Sequence, residues 1–351
     1  MNDASKPVVL VTAVGAPPGL NALRALHESG RYRLVAVDAD RLSPALYQYG
    51  FPHAVLPLAT RGTEAYLDAL TSLIKAHAVD VVVPCIEEEV GLIAYHRQVI
   101  EAAGARVLLP DGATVARAAS KHLATKAARE RGIGCPETLL IDASADAKTR
   151  EQATAEFATR CAPPWICKPV NGHGMRGVVT IDSIEELRSH LQSAPGDQLV
   201  QEKIPGAIGS MHLVGLVYDG AGKVTRRFSS RSIRTLYPGG GPATGGISLN
   251  NEELVSSTID LIEALGVWRG PLNAEWMLDP RDGQFKFIEI NPRLWGYGYL
   301  ATGSGTNFPV ATVELALGRD IGPDQGFRAG VVMLRTSHDL IFSECPFPLD
   351  Y

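Results

Sequence analysis

Phe287-Ile288-Glu289-Ile290-Asn291-Pro292-Arg293 is an apolar run that delivers a carboxylate, then a carboxamide, then a guanidinium, each two residues apart. Side chains alternate in direction along a strand, so Glu289, Asn291 and Arg293 are expected on one face while Ile288 and Ile290 enter a core. Neighbouring oxygen donors suit Mg²⁺, which takes carboxylates together with substrate phosphates. An arginine just beyond suits an anion or a developing oxyanion. A second acid, Glu275, stands in Asn273-Ala274-Glu275-Trp276-Met277, and the intervening Asp279-Pro280-Arg281-Asp282-Gly283 is a turn cluster. The two acids are therefore expected on adjacent antiparallel strands of one hairpin, presenting Glu275, Glu289 and Asn291 to a divalent metal.

Upstream of that hairpin, further stretches carry polar chemistry. Trp165-Ile166-Cys167-Lys168-Pro169 ends an apolar strand on a lysine, and Asn171-Gly172-His173-Gly174-Met175-Arg176-Gly177 follows. Backbone N–H groups of such a glycine loop can cradle phosphate. The loop is not a Walker loop, because no Gly-Lys-Ser/Thr follows, and by itself it reads equally as a hairpin turn. Val200-Gln201-Glu202-Lys203-Ile204-Pro205-Gly206 runs into a Pro-Gly bend whose backbone could meet a purine edge. Lys121 lies early in a helix spanning 113–131. Arg226, Arg227, Arg231 and Arg234 crowd one stretch, suited to phosphate or a carboxylate substrate.

The first 110 residues alternate strand-like and helix-like stretches: strands at 8–14, 32–37, 79–84 and 105–109, helices at 20–29, 64–77 and 86–103. That alternation predicts an α/β unit with a parallel sheet covered by helices. Glu87, Glu88 and Glu89 follow a strand end, where open parallel sheets bind ligands. Gly15-Ala16-Pro17-Pro18-Gly19 lacks the GxGxxG order, so a nicotinamide reading has little support although Asp38 stands at a suitable distance.

The chain's 351 residues are enough for two or three domains with real cores. A net charge of −5 offers no basic field for nucleic acid. No apolar run reaches membrane-spanning length. The five cysteines form no CxxC pair, which reads as reduced thiols in the cytoplasm. The run from Val8 to Val14 fits a strand and loop better than a signal peptide.

In this order the lysine helix, Lys-Pro with its glycine loop, Gln-Glu-x-Ile-Pro-Gly, the arginine stretch, and the Glu and Glu-Ile-Asn-Pro-Arg pair resemble the ATP-grasp superfamily. Asn-Pro-Arg-Leu-Trp-Gly, with Ala-Thr-Gly-Ser-Gly-Thr-Asn-Phe-Pro after it, is similar to the carbamoyl phosphate synthetase-like group of stand-alone ligases. The resemblance covers roughly residues 115 to 315. It implies an ATP-grasp fold: a Rossmann-like N-terminal domain at 1–112, a small lid subdomain with a linker helix at 113–204, and a larger α+β subdomain with the metal site at 205–351. It further implies an ATP-dependent carboxylate–amine ligase that works through an acyl-phosphate and releases ADP and phosphate. A carboxyphosphate- or carbamate-forming enzyme is the alternative, and a silent nucleotide-binding regulator a more remote one.

Carried over to this chain, the resemblance assigns Lys121 and Lys168 to ATP phosphates. Gly172, His173, Gly174 and Gly177 fall to the lid, and Glu202, Lys203 and Ile204 to adenine. Glu275, Glu289 and Asn291 would hold Mg²⁺, with Mn²⁺ as a substitute. Arg293 would stabilise the acyl-phosphate and the tetrahedral intermediate. Arg234 is the second catalytic candidate, with substrate-carboxylate binding as its other role. The pattern's ribose acid is missing past Pro-Gly, where Ser210 or His212 would have to stand in. The expected partners are a small carboxylate and an amine, with no nucleic acid and no membrane, and with room for a homodimer.

Overall fold

The computed structural model describes residues 5–170, 177–206, 209–237, 240–337 and 339–341. Three sheets organise them. The first is parallel, in the order β3-β2-β1-β4, from β1 (Val8–Val11), β2 (Arg33–Asp38), β3 (His53–Val55) and β4 (Val81–Val83). β1 is apolar throughout, and β2 from Leu34 to Val37, because helices cover both faces. Those helices are α1 (Pro17–Ser29), α2 (Thr63–His77), α3 (Glu87–Tyr95) and α4 (Arg97–Ala102). Two expectations change here. The 86–103 helix breaks at His96 into α3 and α4. The strand at 105–109 reduces to a single bridge between Val81 and Arg106.

The segment expected as one helix at 113–131 is also two, α5 (Gly112–Ala119) and α6 (Lys121–Glu130). Ser120 separates them with ψ 106°, and its hydroxyl accepts the Leu123 N–H at 3.3 Å as the N-cap of α6. Both helices pack on the large sheet, sharing a core with Trp268, Trp276 and Phe287. Their packing therefore lies with the large sheet.

The second sheet, in the order β5-β8-β6-β7, is built from β5 (Thr138–Ile141), β6 (Trp165–Pro169), β7 (Val179–Ile181) and β8 (Gln198–Glu202). It is backed by α7 (Ala147–Arg160) and α8 (Ile184–Ser193) around Phe157 and Trp165.

The largest sheet runs β13-β12-β9-β10-β11-β14. Its strands are β9 (Met211–Tyr218), β10 (Val224–Tyr237), β11 (Gly240–Ser248), β12 (Gly270–Leu278), β13 (Phe285–Asn291) and β14 (Val332–Leu334). Helix α9 (Glu252–Leu265) covers one face, while α10 (Tyr299–Gly303) and α11 (Phe308–Ala316) lie towards the N-terminal unit. Strand β11 has no hydrophobic alternation to announce it. It is a strand because β10 and β14 pair with it on either side, and its glycines make room for side chains above: a Cβ on Gly246 would stand 3.1 Å from the Tyr297 ring. One core joins Val9, Val11 and Leu23 of the N-terminal unit to Leu213, Trp295 and Phe308, so that unit and the large subdomain share their packing.

Candidate active site

Strand register sets the centre of the site. Glu275 pairs directly with Glu289, and Asn273 with Asn291, between β12 and β13. The hairpin read from sequence is formed, and a bulge between Glu275 and Trp276 sets its register. Like charges directly opposite on a sheet repel. Glu289 is ion-paired with Lys121 Nζ at 3.3 Å. Glu275 accepts the Asn291 amide nitrogen at 3.5 Å and feels the Arg293 and Lys121 charges. Burial, and then the Glu289 charge, push the Glu275 carboxyl above the ordinary carboxylate range. Two hard-oxygen carboxylates with open lone pairs and mutual repulsion fit a divalent cation such as Mg²⁺. Among the described residues no third His, Cys, Asp or Glu joins them as a metal cluster. Asn291 presents nitrogen rather than oxygen to Glu275. Its Nδ2 also donates to Asn273 Oδ1 at 3.2 Å, and its Oδ1 accepts Arg293 Nη2 at 2.9 Å. To serve as an oxygen ligand, the amide would have to turn over and release both contacts.

The lysines arrive from two elements. Lys121 occupies the first position of α6, placed there by the break at Ser120. Lys168, near the end of β6, is 8% exposed and donates to Gln201 Oε1 at 2.9 Å. Burial pulls its ammonium down to about 8, while the Glu289 charge holds it up and Lys121 opposes that. Lys121, Lys168, Glu275 and Glu289 thus feel one another's charge although they come from the linker helices, the lid and the large sheet.

Arg293 stands beyond the end of β13, so strand alternation is not what aims it. A tight turn, with Arg293 N–H donating to Asn291 O at 2.8 Å, brings it back over the acids. Its Nη2 bonds Asn291 Oδ1 and, at 2.9 Å, Glu87 Oε1 at the first position of α3. One of the three sequential acids is therefore spent on orienting Arg293. Glu89 is buried and accepts the Thr12 hydroxyl.

Around the bend after β8, the Glu202 carboxylate is already engaged. It accepts the Glu137 N–H at 3.1 Å and Arg281 Nη2 at 2.5 Å. Lys203 is exposed and donates to Thr180 Oγ1 at 3.2 Å. Ile204 is buried. His212 departs from its expected role. It pairs with Trp276 rather than Glu275, so its side chain lies on the opposite face of the sheet from the acids. There it is buried edge-on to Phe285, 4.8 Å between ring centroids, and burial lowers its pKa to about 4. Gly172, His173 and Gly174 lie outside the described residues. Gly177 leads from them into β7 with φ 71°.

Arg234, on β10, bonds Thr244 Oγ1 at 3.1 Å. Its neighbours Arg226 and Arg227 are tied elsewhere, to the carbonyls of Ile321 and Gly322 and to Glu252 and Asp324. The arginine stretch is thus mostly structural. The sequence reading missed Glu87 as the partner of Arg293 and Gln201 as the partner of Lys168. Gln201 stood inside a quoted motif and could have been found.

Residues 118–297 match the family model described as the ATP-grasp domain, and residues 9–108 the PylC-like, N-terminal domain. A carbamoyl phosphate synthase large chain of Clavibacter michiganensis subsp. michiganensis is 30% identical over 199 residues, 51% of this chain and 18% of that protein. The N-terminal section of the Aquifex aeolicus carbamoyl phosphate synthase large chain is 23% identical over 325 residues, 86% of this chain and 54% of its own length. The chain thus matches from under a fifth to about half of these relatives' length. Among solved structures, an L-amino acid ligase from Bacillus licheniformis superposes with TM-score 0.64 at 20% identity, covering 89% of this chain and 74% of the other. A biotin carboxylase from Campylobacter jejuni gives TM-score 0.70 at 17% identity, covering 95% and 75%. At such identities the likeness is one of fold. No helix among the described residues is long and apolar enough to cross a membrane.

Proposed function

The chain belongs to the ATP-grasp family, and we propose that it is an ATP-dependent ligase that joins a carboxylate to an amine through an acyl-phosphate, releasing ADP and phosphate. The observation that carries this reading is the direct pairing of Glu275 with Glu289 beside Lys121 and Lys168. Two opposed carboxylates flanked by two ammoniums form an alternating charge array that a nucleotide phosphate and a divalent ion would complete.

Glu275 and Glu289 would hold Mg²⁺, or Mn²⁺ in its place, with Asn291 joining if its amide turns. When bound, the ion neutralises phosphate charge during transfer. Lys121 and Lys168 would grip phosphate oxygens, and the backbone near Ile204, rather than the engaged Glu202 carboxylate, would meet the purine edge. Arg293, fixed by Glu87 and Asn291, presents its fork where negative charge develops on the acyl group. The lid glycines, with Gly177 at their end, would exclude water from the acyl-phosphate. A cytoplasmic setting and small-molecule substrates complete the proposal.

The test is the nucleotide product. Chromatography after incubation with Mg-ATP and pairs of carboxylates and amines should show ADP and orthophosphate. AMP and pyrophosphate as the main products would rule out an acyl-phosphate route. A second reading, carboxyphosphate formation, is favoured by the names of the relatives, carbamoyl phosphate synthase and biotin carboxylase. ADP release that depends on bicarbonate and needs no organic acid would select it.

A further inference from the structure

The parallel sheet of the N-terminal unit switches direction at β1: β2 and β3 lie to one side of it and β4 to the other. Open α/β sheets take ligands at such a switch point, outside the carboxyl ends of the strands. A cavity of about 170 Å³ lies there. Its walls include Ala13 after β1, Leu58 and Ala59 after β3, and Ile86 after β4. Its polar side chains are two acids, Asp38 at the end of β2 and Glu89 in the first turn of α3.

Glu89 is buried, and the donors that serve it are neutral, the hydroxyls of Thr12 and Tyr66. It also feels the charge of Asp38, which has the same sign. Asp38 is half-buried; its Oδ2 accepts the Gly15 N–H at 2.7 Å and its Oδ1 the Asp40 N–H at 2.9 Å. Among the described residues neither acid has a cation within ion-pair distance. A buried carboxylate beside a like charge is unfavourable until something supplies a positive one. The Ser43 hydroxyl faces the same space and is buried without a hydrogen-bond partner. A Cβ on Gly15 would stand 2.5 Å from Ser43 Oγ and 3.0 Å from Asp38 Oδ2.

The missing charge has a definable shape. Apolar walls offer nothing to the water shell of a metal ion, but they bury an alkyl body. A cavity of about 150 Å³ holds a body of about six carbon atoms. An ammonium carries three donors, and Asp38, Glu89 and Ser43 supply three acceptors.

We propose that this cavity binds a small primary ammonium with an apolar body, held by Asp38, Glu89 and the Ser43 hydroxyl. Ile86 lines the cavity while the next residue, Glu87, holds Arg293, so the occupant sits beside the reaction centre and not in it. A substrate amine and an effector amine share this chemistry.

The experiment is a calorimetric titration of wild type, Glu89→Gln and Asp38→Asn with isopentylamine and with isopentanol, which has the same skeleton and no charge. No nucleotide is added, and the pH is 8, above the Glu89 pKa of about 7 and below that of the amine. Wild type should bind the amine at least about 10-fold more tightly than the alcohol. Each variant should lose about 10-fold for the amine, as expected for one charge-assisted contact, and nothing for the alcohol. The inference is overturned if the amine binds no better than the alcohol, if neither binds, or if both variants keep the wild-type affinity for the amine. Asp38→Asn keeps an acceptor for the Gly15 N–H, so it decides the matter should Glu89→Gln fold poorly. With Mg-ATP present, covalent uptake of the amine, read by mass spectrometry, would mark it as a substrate. Its recovery unchanged, with an altered rate of ADP release, would mark it as an effector. In a chain that releases ADP, binding with neither consequence would overturn a functional role for the cavity. Binding without any ADP release would count against the ligase reading instead.

Discussion

Glu275 and Glu289 repel each other across the ladder; Lys121 ion-pairs with Glu289, and Arg293 and then Lys121 offset part of the charge on Glu275. Replacing either by glutamine removes a metal ligand while relieving that repulsion. Glu275→Gln and Glu289→Gln should therefore lose ATP turnover at limiting Mg²⁺ and yet melt no lower than wild type. Steady-state ADP release and a melting curve check both halves, and wild-type turnover in either variant would displace the metal site. Glu89 gives a second prediction. Burial raises its pKa from 4.5 to about 7 against the opposing bond from Thr12. A raised acid favours the fold while protonated, so its contribution is full below about pH 4.5 and is lost as pH rises through 7. Above that, the fold buries a charge at a cost on the order of 2–3 kcal/mol. Glu89→Gln should match wild type near pH 4.5 and melt higher at pH 8. An equal gap at both pH values would show that Glu89 does not titrate as described.

At the scale of elements, strand β12 is held against the N-terminal unit through a backbone approach at its first residue. Gly270 has φ 81°, and a Cβ there would stand 2.0 Å from the Leu108 carbonyl oxygen. Gly283, in the turn between the acid strands, has φ 68° but open space around it. The comparison separates conformational strain from collision. Gly283→Ala should cost about 1 kcal/mol. Gly270→Ala should cost upwards of about 3 kcal/mol, because backbone rather than a movable side chain blocks it. Urea midpoints of the two variants measure this, and similar values would mean that the Leu108 contact gives way easily. The break at Ser120 is another element-level device: without it, Lys121 would sit mid-helix instead of at the first turn, facing Glu289.

On the scale of the whole molecule, the N-terminal unit reaches the site through the ion pair of Glu87 with Arg293, both partly buried. A fixed guanidinium should contribute more to the transition state than a mobile one. Arg293→Lys should lower kcat by about 10² to 10³ with little change in nucleotide affinity. Glu87→Gln should lower it less and act through Arg293. The double variant should then be no worse than Arg293→Lys alone, a coupling of about 1 kcal/mol or more in a double-mutant cycle. Strictly additive losses would assign Glu87 an independent task, such as contact with the amine.

The sequence by itself determined the acid hairpin, the lysine near the end of β6 and the parallel N-terminal sheet. In each of these the chemistry is local: strand alternation and a turn cluster put the two acids on adjacent antiparallel strands, whereas a bulge between the Trp276–Phe287 and Glu275–Glu289 pairs, which no spacing announces, sets them directly opposite each other. Tertiary structure decided the remainder. Strand β11, rich in glycine, exists because two neighbours pair with it. His212 turned away from the acids because its pairing with Trp276 fixes its face. Glu202 is committed to Arg281, and Arg293 reaches its place through a turn and a distant glutamate. Long-range pairing leaves no periodic trace in a sequence, because the partner's position is set by the fold and not by spacing along the chain.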